Sequence, residues 1–102
     1  PHPGAGSRTF ALRVEGESMV SPYPNQRRYP PGTIIFVDPD RALTNGARVV
    51  ARVPGTNQVT FKRYVEEDGQ IYLMPLNPSY KPIEITQETH ICGVVIGSYN
   101  DE

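Results

Sequence analysis

The sequence predicts a mainly β domain, built of short, twisted antiparallel strands that form a partly closed barrel or sandwich with little helix. Three observations predict it. Apolar stretches recur with a turn signal roughly every eight to twelve residues, the spacing of an all-β chain. Eleven prolines, most of them between those stretches, leave no room for long helices. No window carries the sustained period of about 3.6 residues that an amphipathic helix needs.

The elements follow in order. Residues 1–8 are small and rich in Pro and Gly, which marks a flexible arm or linker remnant, and residues 9–102 make the folded unit. Thr9 to Glu15 alternates, with Phe10, Leu12 and Val14 on one face of a half-buried strand that Gly16 ends. Ser18 to Gly32 carries Pro22, Pro24, Pro30 and Pro31 and reads as a surface loop, with at most a helical turn near Ser18. Thr33 to Asp38 is almost wholly apolar, as in a strand covered on both sides. Asp38-Pro39-Asp40 and Asn45-Gly46 supply turns before a strand from Ala47 to Val53. Pro54-Gly55-Thr56-Asn57 then closes a hairpin onto Gln58 to Val65, and Glu66-Glu67-Asp68-Gly69 leads into Gln70 to Met74. Pro75 to Pro82 is irregular and Ile83-Glu84-Ile85 is a short edge strand. His90 to Tyr99 is the last strand, with Gly93 and Gly97 where backbones bend or approach closely.

Composition narrows the function. At 102 residues the chain is one domain with a modest core. Ten Lys and Arg balance eleven Asp and Glu, so the electrostatic footprint of an unaided nucleic-acid binder is missing. Any contact with DNA would fall to a further domain. Cys92 is the single cysteine and His2 and His90 lie far apart, so no internal disulfide, metal-ligand set or cofactor motif is expected. These features suit a reducing, cytoplasmic setting. No apolar run approaches the ~18 residues of a membrane span, and the N-terminal residues lack the pattern of a signal peptide. The chain begins with Pro1, so a fragment of something longer is expected.

Two residues invite chemistry. Ser18 lies just beyond the glycine that ends the first strand, and Lys62 stands inside the strand pattern Val59-Thr60-Phe61-Lys62-Arg63-Tyr64. A serine hydroxyl becomes a good nucleophile when a base takes its proton, and lysine is such a base only as a neutral amine. That requires burial, which disfavours the ammonium. By alternation Lys62 shares a face with Thr60 and Tyr64, opposite Val59, Phe61 and Val65. On a solvated face it would be an ordinary surface charge.

The words around these residues carry more. Glu15-Gly16-Glu17-Ser18-Met19, Pro31-Gly32-Thr33-Ile34-Ile35-Phe36-Val37-Asp38-Pro39, Thr60-Phe61-Lys62-Arg63 and Leu76-Asn77-Pro78 occur in a familiar order and spacing. From about residue 10 to 99 the chain resembles the C-terminal domain of lambda-type phage repressors and LexA, self-cleaving serine peptidases that include UmuD-like proteins. The resemblance implies a Ser-Lys dyad on a LexA-like β fold. Ser18 would attack an Ala-Gly-type bond in the protein's own hinge, and Lys62 would accept its proton and return one to the leaving amine. The backbone N–H groups of Glu17 and Ser18 would hold the oxyanion. It further implies a homodimer or higher homo-oligomer, its interface on the last strand and adjoining loops. RecA on single-stranded DNA would act as coprotease, favouring a minority conformer. The hinge of such proteins lies several tens of residues before the serine, whereas seventeen residues precede Ser18. Ala5-Gly6 has the right chemistry but sits close to the first strand, so the target bond and the DNA-binding domain are expected outside this chain.

Other readings stay open at this stage: an oligomerisation domain with a vestigial dyad, a UmuD-like polymerase accessory subunit, or a signal peptidase without its anchor. The remaining polar residues take structural roles. Asp38 and Asp40 are expected as turn acids, His90 as a strand-end residue, Cys92 as core and Arg27-Arg28 as a solvated pair. Glu15 and Glu17 suit solvent. Tyr23, Tyr29, Tyr80 and Tyr99 suit either an interface or the covering of loops.

Overall fold

A computed structural model describes residues 8–16, 18–21, 29–56 and 58–99. Those residues contain strands β1 (Phe10–Arg13), β2 (Ile34–Asp38), β3 (Arg48–Arg52), β4 (Val59–Glu67), β5 (Gln70–Met74), β6 (Ile83–Glu84) and β7 (His90–Tyr99), and no helix. They form one sheet in the order β1-β2-β7-β3-β4-β5-β6. Every neighbouring pair is antiparallel. The mainly β, antiparallel class is therefore the one the sequence predicts. In place of a helical turn, Ser18 and Met19 occupy a simple turn.

Alternation along β3 separates two cores. Val50 packs with Val14, Met19, Tyr29, Ile35 and Val37 on one face. Val49 and Ala51 pack with Leu73 and Val94 on the other. The strand covered on both sides is thus β3, near the middle of the sheet, where Val49, Val50 and Ala51 are all shut from water. β2 was expected in that role. Its Ile34 and Phe36 remain half-buried, because β2 has only the short edge strand β1 beyond it. On β1 burial rises from exposed Phe10 to buried Val14, so the expected apolar face is inside only at its Val14 end.

β7 makes the sheet curl. Its pairing with β2 jumps from Gly97 to Val95, and its pairing with β3 jumps from Gly93 to Ile91. Ile96 and Cys92 are thereby extra residues, and such bulges bend a strand and increase its twist. Gly93 is required here: a Cβ on it would lie 2.7 Å from Val37 Cγ1 and 3.0 Å from the Asp38 carbonyl carbon and oxygen. As a result β1, four places from β4 in the sheet, borders a common pocket with it.

Candidate active site

The pocket, about 230 Å³, is walled by Leu12 to Glu15 on one side and Val59 to Lys62 on the other, with Ser18 and Met19 above Ile35 and Val50. Ser18 is brought there by the chain leaving β1. Val14 stays bound to the incoming end of β2, its N–H donating to Thr33 O at 2.8 Å and its carbonyl accepting from Gly32 N at 2.9 Å. Gly16 then turns with φ of 75°, a left-handed conformation that costs glycine nothing. Met19, 1% exposed, anchors the turn in the core, and its carbonyl accepts from Tyr29 N at 2.9 Å. The Ser18 carbonyl accepts from Asn77 N at 2.9 Å. A half-buried hydroxyl is thus held by backbone bonds on both sides.

Lys62 arrives from β4. Residues 59–62 pair with β3, whereas β5 pairs only with 63–67, so among the described residues one edge of the first half of β4 is unpaired. At that edge Lys62 Nζ donates to Ser18 Oγ at 2.8 Å, Thr60 Oγ1 at 2.6 Å and Phe61 O at 3.2 Å. Lys62 is 8% exposed, with no ion pair to a carboxylate among the described residues. Burial pushes its pKa below the ordinary lysine value. A lysine so placed releases its proton more readily, and its amine then faces a serine hydroxyl. Thr60 was missed as a partner of Nζ, although strand alternation already puts residues 60 and 62 on one face.

The other singled-out residues fall elsewhere. Glu17, the other expected oxyanion donor, lies outside the described residues, as do Ala5-Gly6, His2, Tyr23 and Arg27-Arg28. Glu15 borders the pocket and is exposed. Asp38 accepts from Asp40 N at 2.9 Å, a turn role as expected, whereas the Asp40 carboxylate pairs with Arg8, 32 residues away in the chain. His90 is exposed at the start of β7, and Cys92 is half-buried in a bulge against the core. Tyr29, open between interface and loop cover, is 2% exposed and packs edge-on to Phe61. Tyr80 and Tyr99 are exposed. No group of three or more His, Cys, Asp or Glu among the described residues is placed to hold a metal ion, and the described residues contain no helix long and apolar enough to cross a membrane.

Known proteins share this chain's sequence over most of its length. It is 44% identical over 86 residues to the HTH-type transcriptional regulator for conjugative element SXT of Vibrio cholerae, covering 84% of this chain and 40% of that protein. It is 40% identical over 95 residues to the prophage repressor CohE of Escherichia coli, covering 91% and 40%. It is 40% identical over 90 residues to the LexA repressor of Carboxydothermus hydrogenoformans, covering 86% and 41%. The chain therefore spans about 40% of the length of these relatives. The model of the Peptidase S24-like family matches residues 3–96, and together with the likeness to a prophage repressor, a LexA repressor and a transcriptional regulator for a conjugative element this means that the chain belongs to the Peptidase S24-like family.

Proposed function

We propose that this chain is the self-cleaving and dimerising unit of a cytoplasmic transcriptional repressor, with Ser18 as nucleophile and Lys62 as general base. The observation that carries the reading is the 2.8 Å approach to Ser18 Oγ of the Nζ of Lys62, a residue only 8% exposed. The three contacts of Nζ explain how the base is aimed. An ammonium has three N–H donors, and Ser18, Thr60 and Phe61 O accept all three. The neutral amine keeps two N–H bonds and a lone pair. With Thr60 and Phe61 O accepting the two, the lone pair falls to the Ser18 hydroxyl, and that hydrogen bond reverses.

The reaction then runs as acyl transfer. Ser18 Oγ gives its proton to Lys62 Nζ and bonds to the scissile carbonyl carbon, whose oxygen becomes an oxyanion held by the backbone N–H groups of Ser18 and Glu17. The carbon–nitrogen bond breaks as Nζ returns the proton to the leaving amine. Neutral Lys62 Nζ then takes a proton from water as the water oxygen bonds to the ester carbonyl carbon, and Nζ returns that proton to Ser18 Oγ as the carbon–Oγ bond breaks and the new carboxylic acid departs. The substrate is an Ala-Gly-type bond in the protein's own hinge, and RecA on single-stranded DNA favours the conformer that seats it. Two DNA-binding domains joined through a homodimer gain effective concentration on paired half-sites, and cleavage abolishes that gain. The relatives named as repressors or as a transcriptional regulator favour this reading over a polymerase accessory subunit.

The test uses the longer protein with its hinge, incubated from neutral pH toward pH ~10, where free lysine deprotonates. Self-cleavage rises with pH, and both Ser18→Ala and Lys62→Ala abolish it. Cleavage that survives in Ser18→Ala, or that is absent at every pH with and without RecA, overturns the proposal.

A further inference from the structure

Strand pairing does not by itself fix the distance between Ser18 and Lys62. The chain reaches Ser18 from β1, Lys62 belongs to β4, and the two strands are not ladder partners. Their approach depends on what packs between them. Tyr29 touches the neighbours of both residues. Its N–H donates at 2.9 Å to the carbonyl of Met19, next to Ser18, and its ring meets edge-on the ring of Phe61, next to Lys62, with 4.8 Å between centroids. Arg48, which faces Arg63 across the β3–β4 ladder, holds its guanidinium carbon 5.7 Å from the centroid of the Tyr29 ring. The backbone that carries the ring is stiff. Pro30 follows Tyr29 and bars it from the helical region, and the Pro30 carbonyl accepts from Thr33 N at 3.1 Å and Thr33 Oγ1 at 2.7 Å at the entrance to β2. Phe61 in turn borders the pocket, and its carbonyl accepts from Lys62 Nζ. A ring that holds Phe61 therefore also holds an acceptor of the base.

We propose that Tyr29 is a positioning residue for the cleavage reaction, holding the Ser18 turn through Met19 and the Lys62 strand through Phe61 so that the two side chains stay within hydrogen-bond reach. The inference rests on the Ser18–Lys62 reading above, and its first test reads Lys62 without any cleavage. Loss of the ring frees Phe61 to move and admits water beside Nζ, which relieves the burial that holds the lysine pKa down. The charged and titratable groups on the elements around Lys62 are Arg13 and Glu15 on the β1 side, Arg48 and Arg52 on β3, and Arg63 and Tyr64 on β4. All of them are kept in the variants, so a moved titration reports a change in burial.

Lys62 and Lys81 are the only lysines. The chain grown with lysine carbon-13-labelled at Cε thus gives two resonances, assigned with Lys81→Arg, and Lys81 is the internal control. Tyr29→Leu is expected to raise the Lys62 midpoint by about 0.5 pH unit or more, a fraction of the roughly three to five units that full burial can impose. Tyr29→Phe removes the phenol, keeps the ring and leaves the midpoint in place. Phe61→Leu removes the other half of the edge contact and keeps the carbonyl, so it raises the midpoint too, and the double variant adds little to the larger single effect. In the hinge-containing protein Tyr29→Leu lowers the high-pH self-cleavage rate about 2- to 12-fold, the worth of an edge-on aromatic pair, and Tyr29→Phe keeps the wild-type rate. Thermal melts establish that each variant is folded, and if Tyr29→Leu is not, Tyr29→Met and Phe61→Leu decide. A merely structural Tyr29 would lower the melting temperature and leave the midpoint alone. That result, additive shifts in the double variant, or a Tyr29→Phe that behaves like Tyr29→Leu each overturn the proposal. Absent cleavage in the wild type overturns the dyad reading itself, whereas normal cleavage with an unmoved midpoint overturns only the role of Tyr29.

Discussion

Thr60→Val tests how the base is aimed. The change keeps the branched shape and removes the acceptor that lies 2.6 Å from Lys62 Nζ. In the ground state of the reaction the amine is neutral, and its bond to Thr60 is worth about 1 kcal/mol. In the transition state Nζ is taking the Ser18 proton, and a bond from a charged donor is worth about 1.5–3 kcal/mol. The difference, about 0.5–2 kcal/mol, slows cleavage roughly 2- to 30-fold at pH values where Lys62 is already neutral. The same acceptor favours ammonium over amine, so its loss moves the pH profile to lower pH. The assay is the first-order rate of self-cleavage of the hinge-containing protein across the pH range, for wild type, Thr60→Val and Thr60→Ser. Thr60→Ser should restore most of the rate. An unchanged high-pH rate in Thr60→Val, or a profile moved to higher pH, refutes the aiming role.

Two further outcomes concern stability. Gly93→Ala forces a Cβ to within 3.0 Å of the Asp38 backbone, which the ladder holds in place, so it should cost about 1–3 kcal/mol in a urea unfolding curve. A tolerated alanine would mean that the β7 bulge relaxes freely. Lys62→Met removes a buried cation. Because the folded-state pKa of Lys62 lies below its ordinary value of 10.5, the unfolded chain binds more protons between the two. Wild-type stability therefore gains a rising contribution with pH through that window and lacks it below. Lys62→Met should flatten this slope in urea midpoints measured from neutral to alkaline pH, and should be the more stable protein at the lower end. An identical slope in both proteins would mean that Lys62 is not desolvated.

The strands were legible because each is a local pattern. Apolar stretches set off by turn residues located Gln70–Met74 and His90–Tyr99 at their observed bounds, and Lys62 stood out as a charge inside a strand pattern. What local patterns do not encode is which strand lies beside which. The placing of β7 between β2 and β3, the Ile96 and Cys92 bulges, and the burial of Tyr29 all arise from pairing across long stretches of chain. For the same reason the facing of Arg48 and Arg63 was invisible: it depends on the register of two strands and on nothing in either one. One of the linked motifs contains Thr60 beside Lys62 but assigns it no role, because its contribution is a distance rather than a residue type.

One proline joins the fold to the site. Extending the β4–β5 register by one step from Arg63–Met74 would set Lys62 opposite Pro75. Proline holds φ at about −65°, away from the roughly −140° of an antiparallel strand, so the chain leaves the ladder there. The consequence is the unpaired edge over residues 59–62, where the Phe61 carbonyl serves Lys62 Nζ instead of a neighbouring strand. Had β5 continued, that carbonyl would have been taken and a strand would occupy the wall beside Ser18. The diverted chain is used as well: two residues after Pro75, Asn77 N donates to Ser18 O and fixes the turn that bears the hydroxyl. The break in β5 therefore leaves open the edge on which the lysine is aimed and secures the serine it faces, which is why Leu76-Asn77-Pro78 belongs with Ser18 and Lys62 although it contributes no side chain to their contact.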